Sequence, residues 1–267
     1  MKVATWNVNS IRTRLEQVVD WLHRYPVDVL CLQEIKVVDP EFPRSPFEQL
    51  GYHAYLAGQK AYNGVAILSN QQLQDVTTGF TPILANSGNI APSLLEDLDE
   101  QKRIITGVID GIRIVNLYVP NGASVGSEKY EYKLRWLKML REYLQVLLQQ
   151  SASLCVCGDF NIALEDQDIH TPATLTGSIM ASELERQALR EILALGLADA
   201  FRKFTTAGGH FTWWDYRAGA FRRNMGWRID HHYLTPELYK QAKNCIIDAS
   251  PRKLPKPSDH APVIVEV

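Results

Sequence analysis

No apolar stretch in this chain approaches the roughly 20 residues a helix needs to cross a bilayer. Met1-Lys2 leads straight into Val3-Ala4-Thr5-Trp6, with no charged-then-apolar leader. A membrane role is excluded on this reading, no redox or targeting extension is expected, and the protein should be cytoplasmic. Cysteine is scarce: Cys31, Cys155, Cys157 and Cys245 lack CxxC spacing, and three of the four lie in apolar runs, where a reduced thiol behaves as a small hydrophobe. That pattern implies a reducing compartment rather than a disulfide framework. An excess of one charge is missing too. With 28 basic and 30 acidic side chains the net charge is −2, so any polyanionic partner must be met by local clusters. Three such clusters exist, Lys129 to Arg141, Arg217 to Arg228 and Arg252 to Lys256, and each alone is also what a solvated face looks like. No Pro/Gly/Ser-rich linker or low-complexity tract divides the 267 residues. With 46% hydrophobic content this predicts one domain, 1–267, with a sizeable core.

What is present reads as alternating strands and helices. Val3 to Trp6 and Val27 to Gln33 are short apolar runs of strand length, separated by a helix from about Arg14 to Tyr25 that Thr13 and Glu16 would cap. Tyr52 to Ala57 and Gly64 to Leu68 are further strands. Ile104 to Ile109 and Ile112 to Tyr118 flank Asp110-Gly111, the dipeptide a two-residue type I′ hairpin requires, so the sheet is mixed rather than purely parallel. The longest helical pattern spans Ser127 to Gln149. Ser153 to Cys157 follows as a buried strand, with Gly158 expected to let the chain turn. A second capping box, Ser182 with Glu185, opens a helix running to about Leu195, and Pro262 to Val267 closes the chain as a strand.

The edges of these strands carry one kind of residue. Asn7, Glu34, Tyr118, Asp159, Asn161, Asp230, Asp259 and His260 are all polar, and each lies beside an apolar run. Asp159 and Asn161, two residues apart in extended backbone, point the same way, although an Asp after a strand also serves as a helix N-cap. Turns favour Asp and Asn, so one or two such residues mean nothing. Eight of them suggest a shared site. Oxygen donors without thiolate or paired-His spacing suit a hard dication, Mg²⁺ or Mn²⁺, and His260 beside Asp259, with Asp230 available, supplies an imidazole–carboxylate pairing. His231 and His232 read as structural, and Trp214 as core.

In these motifs the chain resembles the exonuclease III family of apurinic/apyrimidinic endonucleases, within the endonuclease/exonuclease/phosphatase superfamily. The matching segments, in the family's order and spanning nearly the whole chain, are TWNVNSIRTRL, LCLQEIK, YNGVAILS, NLYVPNGASVGSEKYEYKLRWL, CGDFNIALEDQDIH, FTWWDYRAGAFRRNMGWRIDHHYLT and SDHAPV. The Asn, Glu, GDxN and SDH elements belong to the whole superfamily, lipid and inositol phosphatases included. GSEKYxYKLxWL and the WW…GWRID segment look like the DNA-repair branch.

The resemblance implies an α/β fold, a four-layered sandwich of two packed mixed β-sheets flanked by helices, with the site at one edge. It implies that Asn7, Glu34 and Asp259 serve the metal, and that Tyr118, Asn161 and His260 contact the scissile phosphate. Asp159 would position or deprotonate the attacking water, and Asp230 would pair with His260. Whether Asp159 or His260 is the base, and whether one ion or two take part, stays open. Trp213, Trp227 and Ile229 would wall a pocket for a flipped-out baseless sugar, Arg217 would probe the duplex, and Arg103, Asn121 and Lys129 to Lys133 are candidates for phosphate contact. The implied substrate is double-stranded DNA with abasic sites or blocked 3′ ends, the implied state a monomer, nucleoid-associated in a bacterium. Ile35 replaces the family's usual Thr, so one supporting hydrogen bond is expected to be lost, and Thr171 to Ala181 matches loosely. Two other readings keep the scaffold: a phosphoesterase acting on a lipid or inositol phosphate, and a non-catalytic nucleic-acid-binding regulator.

Overall fold

The computed structural model describes residues 1–85 and 90–267. Among them the strands are, in chain order, β1 (Lys2–Asn7), β2 (Val29–Gln33), β3 (His53–Ala57), β4 (Val65–Ser69), β5 (Gln74–Thr78), β6 (Ile104–Ile109), β7 (Ile112–Tyr118), β8 (Leu154–Asp159), β9 (Ala198–Asp199), β10 (Asp230–Leu234), β11 (Asn244–Ile247) and β12 (Val263–Glu266). They form two six-stranded sheets, ordered β11-β12-β1-β2-β4-β3 and β5-β6-β7-β8-β10-β9. Both are mixed: β1–β2 and β7–β8 run parallel, while the remaining neighbours run antiparallel.

Strand alternation explains the layers. One face of each sheet meets the other sheet in a shared core that includes Val3, Val29, Ile67, Ile105, Ile114, Leu234 and Val265. The outer face of the first sheet is covered by helix Ile11–Arg24 through Val18, Trp21 and Leu22 packed on Trp6 and Leu32. Helices Pro92–Glu100, Glu128–Gln150 and Glu183–Leu193 cover the outer face of the second, against Val115, Leu117, Leu154 and Val156. The result is the four-layered α/β sandwich. A buried polar bridge fixes how the sheets sit: Gln33 Nε2 donates to Thr5 Oγ1 (2.8 Å) and to Asn116 Oδ1 (2.7 Å), and Asn116 Nδ2 donates to the carbonyls of Leu32 and Ala66. Gln33 Nε2 and the Asn116 amide are paired only at one mutual position of the sheets.

Most local expectations hold. Asp110 and Gly111 both adopt positive φ (49° and 76°), as the type I′ turn between β6 and β7 demands. Ser127 caps the long helix by accepting from the Tyr130 N–H, and Ser182 with Glu185 forms the reciprocal box. Three differ. The first helix begins at Ile11, so Thr13 lies inside it and makes no capping box; Ser10 is the cap residue and its side chain caps nothing. The Ser10 and Ile11 N–H groups bond instead to the carbonyls of Glu34 and Ile35, across the chain. Gly158 does not end its strand. β8 continues through Asp159, and at Gly158 a Cβ would lie 1.9 Å from the Leu117 carbonyl oxygen of β7. The glycine is required by close approach of a neighbouring strand, not by a turn. Finally, β5, β9, β10 and β11 are strands that the sequence reading does not predict: β5 lacks an apolar run, β9 has only two residues, β11 only four, and β10 carries two histidines after Asp230. All four cysteines are buried and free, and no described helix is long and apolar enough to span a membrane.

Candidate active site

Parallel pairing brings the polar strand ends level. Asn7 lies opposite Gln33 in the β1–β2 register, so Glu34 emerges beside it; Tyr118 lies opposite Asp159 in β7–β8, and Asp230 opposite Asp159 in β8–β10. The carboxyl ends of both parallel pairs share one edge of the sandwich. Asn7 joins them: fully buried, it donates through Nδ2 to Glu34 Oε1 (2.8 Å) and to Asp159 Oδ2 (2.9 Å), one acid from each sheet. An amide between two carboxylates is stable with its NH₂ end toward them, and its Oδ1 accepts from the Asn9 N–H.

Asp159 is itself buried. Oδ1 accepts from the Asn161 N–H (2.9 Å), and Oδ2 faces His260 Nε2 at 3.7 Å, beyond hydrogen-bond length. No helix follows this strand end, so Asp159 is not an N-cap. Burial pushes its carboxyl up to about 7; His260 opposes this, and Asp230 and Glu34 add to it. His260 is held on its far side by Asp230, with Nδ1–Oδ2 at 2.9 Å. Although burial disfavours the imidazolium, Asp230 and Asp159 outweigh it and raise His260 to about 10. Ser258 fixes the backbone here, donating to the Asn7 carbonyl and accepting from the His260 N–H.

Glu34 is part-exposed and ionised: burial works against the charge, and Lys36 and Asn7 overcome it. The Tyr118 hydroxyl is pushed well above its ordinary value by burial and then by the Glu34 carboxylate, so it remains a donor. Arg103 lies over the Tyr118 ring at 4.6 Å and donates to its carbonyl, which makes its contact with Tyr118 direct. Asn161 is committed inside the protein, donating to Val119 O and Asp159 Oδ2 and accepting from Asn121 Nδ2 (3.1 Å). Asp259 stands outside the group: its oxygens accept from Asn9 Nδ2 and Trp213 Nε1, both at 3.0 Å. Those partners and His260 outweigh the burial that opposes its charge, so its carboxyl lies below the ordinary range.

Trp213, Trp227 and Ile229 do come together, in an apolar cluster completed by Leu175 and Ile179 from the loosely matched segment. Trp213 is part-exposed, whereas Trp227 and Ile229 are buried behind it. Trp214 is core, packed with Phe211, Ala220 and Ala261. Arg217 is exposed, apart from this cluster. Ile35 is buried in the helix-side core of the first sheet, so packing takes the place of a hydroxyl's hydrogen bond. Of the Lys129 to Lys133 segment, Lys133 is no candidate for DNA contact. It is fully buried, pairs with Glu185 and donates to the carbonyls of Asn161 (2.8 Å) and Asn121 (3.3 Å).

Lys36 is a site residue that the sequence reading does not predict. Lys36 Nζ contacts Glu34 Oε2 (2.7 Å) and Asn9 Oδ1 (2.6 Å), so two hard oxygens already converge on a positive charge. Asn9, Glu34, Lys36 and Asn161 all take positive φ (44°, 50°, 57° and 50°), an uncommon backbone that clusters at this edge.

The model of the Endonuclease/Exonuclease/phosphatase family matches residues 4–260. Exodeoxyribonuclease III of Haemophilus influenzae is 34% identical, the alignment covering 100% of this chain and 99% of the relative. Among solved structures, a 3′ phosphatase, NExo, from Neisseria bound to product DNA hairpin superposes with a TM-score of 0.91 at 39% identity, covering 100% of this chain and 98% of the other. An AP endonuclease from Archaeoglobus fulgidus gives 0.90 at 40%, with coverage of 100% and 98%. The chain therefore belongs to the Endonuclease/Exonuclease/phosphatase family, in its exonuclease III branch, and is a nuclease of that type.

Proposed function

We propose that this protein is a divalent-metal-dependent DNA-repair phosphodiesterase that cuts double-stranded DNA 5′ to abasic sites and also trims blocked 3′ ends, acting as a monomer. One observation carries the reading. A single Asn7 amide holds Glu34 and Asp159 together, while the imidazole clamped by Asp230 faces Asp159 across a gap of 3.7 Å. At that separation a ligand oxygen seated beside the pair, not between them, lies within hydrogen-bond reach of both groups. The names of the relatives, an exodeoxyribonuclease, a 3′ phosphatase with DNA and an AP endonuclease, support DNA as substrate.

The donor set suits a hard dication. Glu34 and Asn9 present oxygens that already hold the Lys36 ammonium, and Asp259 joins them through Asn9. Mg²⁺ or Mn²⁺ bound there would supply charge neutralisation at the phosphate and at the leaving oxygen. Asn7 serves it by orienting Glu34. His260, protonated, donates from Nε2 to a phosphate oxygen, and the Tyr118 hydroxyl donates to another. Asp159 accepts the proton of the attacking water, oriented by the Asn161 backbone and side-chain amides. Lys133 secures Asn161 and Asn121 from behind. Trp213 offers the wet aromatic wall against which a sugar without its base fits, with Trp227 and Ile229 backing it. Arg103 and Asn121 line the approach to Tyr118, and Arg217, exposed, would meet the duplex.

Cleavage of an abasic-site oligonucleotide, with EDTA and after Mg²⁺ is restored, tests the reading. Incision that stops with chelation and returns with the ion is expected. Turnover of a lipid or inositol phosphate with intact DNA would sink it, as would duplex binding without any cleavage.

A further inference from the structure

A second group of metal-binding side chain types lies inside the sandwich, away from the carboxylates. Cys155 and Cys157 are two residues apart on β8 and project from one face into the core between the sheets. His232 stands opposite Cys157 in the antiparallel β8–β10 register and so shares that face. The two Sγ atoms and one imidazole nitrogen lie within 4.8 Å of one another, and all three residues are buried. No side chain pairs with either ring nitrogen of His232, whose polar neighbour is the Val3 backbone. Buried polar groups are almost always paired, and an apolar ring would fill this layer without that penalty.

We infer that Cys155, Cys157 and His232 form a closed site for a thiophilic d¹⁰ dication of the zinc type, separate from the hard-cation site. Two thiolates with a neutral imidazole are soft and borderline donors, which select zinc over magnesium. Their charges also cancel a dication, so the filled site leaves no net charge in a dry core. The thiol of Cys31, on β2 of the facing sheet, reaches Cys157, so an ion held here would lie against both sheets. Binding releases two thiol protons to solvent, and because the residues are buried the ion enters as the chain folds.

The full chain refolded with one equivalent of Cd²⁺ under excess Mg²⁺ tests this, since the ultraviolet thiolate-to-cadmium band reports sulfur ligands alone. The expected result is a band saturating at one equivalent, displaced by Zn²⁺, with zinc retained through an EDTA wash that strips the hard-cation site. Cys157→Ala should abolish the band. His232→Phe, similar in volume and without an unpaired nitrogen, should fold and weaken Cd²⁺ by at least about tenfold, the loss usual even for an outer partner of a ligand. No band in folded wild-type protein overturns the proposal, and so does an unchanged band in natively folded Cys157→Ala. If Cys157→Ala does not fold, unaltered Cd²⁺ affinity in His232→Phe overturns it.

Discussion

At Asp159 the protein does something that water would undo: it holds a carboxylate in a buried site beside other acids, raised to about 7, with an imidazolium across a narrow gap. Such a group accepts a proton readily only while His260 and the neighbouring amides keep it oriented. Asp159→Asn and His260→Ala should each lower kcat by about 10²-fold or more, the usual loss of a positioned acid or base. Binding of an abasic duplex, measured by anisotropy, should stay near wild type; equal loss of binding would show that these residues hold the fold. Lys133 acts one step further back. Lys133→Met leaves Glu185 buried without its partner and should lower unfolding free energy by about 3 kcal/mol in urea titration. Lys133→Met with Glu185→Gln should recover part of that, whereas kcat should remain low because Asn161 and Asn121 have lost their support. Full kinetic recovery would refute the positioning role.

Among the elements, the β7–β8 pair is the most constrained, because its parallel register sets Tyr118 level with Asp159. Gly158 permits it, at φ 145° and against the Leu117 carbonyl. Gly158→Ala must either push the strands apart or strain the backbone, at about 3 kcal/mol or more. Chemical denaturation should show the loss, and the catalytic defect should exceed what the unfolded fraction explains. Unchanged stability would mean that the strand relaxes freely. The first helix shows the same dependence on a neighbour: its N-terminus has no side-chain cap and is closed by the loop after β2, so Glu34 and Asn9 are held by the same backbone bonds.

The molecule as a whole stores two neutral histidines. Burial is the largest cause in both, and it lowers His231 to about 4 and His232 to about 3, from 6.5. Below pH 6.5 the unfolded chain takes up two protons there that the folded chain refuses, so their stabilisation is present above 6.5 and lost as pH falls toward 4. Asp159, raised from 3.8 to about 7, works the opposite way with one proton. His260, raised to about 10, keeps its proton in the folded chain and offsets the rest near pH 6.5, so the balance grows from about zero at pH 6.5 toward one proton at pH 5, where the loss steepens to roughly 1 kcal/mol per pH unit. Urea midpoints that stay level or rise across that window would contradict it. The elements with strong periodicity were legible in the chain: the long helix, the Asp110-Gly111 hairpin and the buried strands β1, β2, β6, β7 and β8. Strand β5 was not, because an edge strand needs no continuous apolar run; β9 and β11 are only two and four residues long, and the histidines in β10 break its apolar pattern. Local chemistry alone determined which residues end strands in amides and acids, and the family motifs marked them as a set. Only packing decided that Asn7 stands between Glu34 and Asp159, that Lys133 turns inward, that Asp259 lies apart, and that Cys155, Cys157 and His232 meet. Those relations join residues distant in the chain, and they exist only once two sheets with fixed registers close on each other.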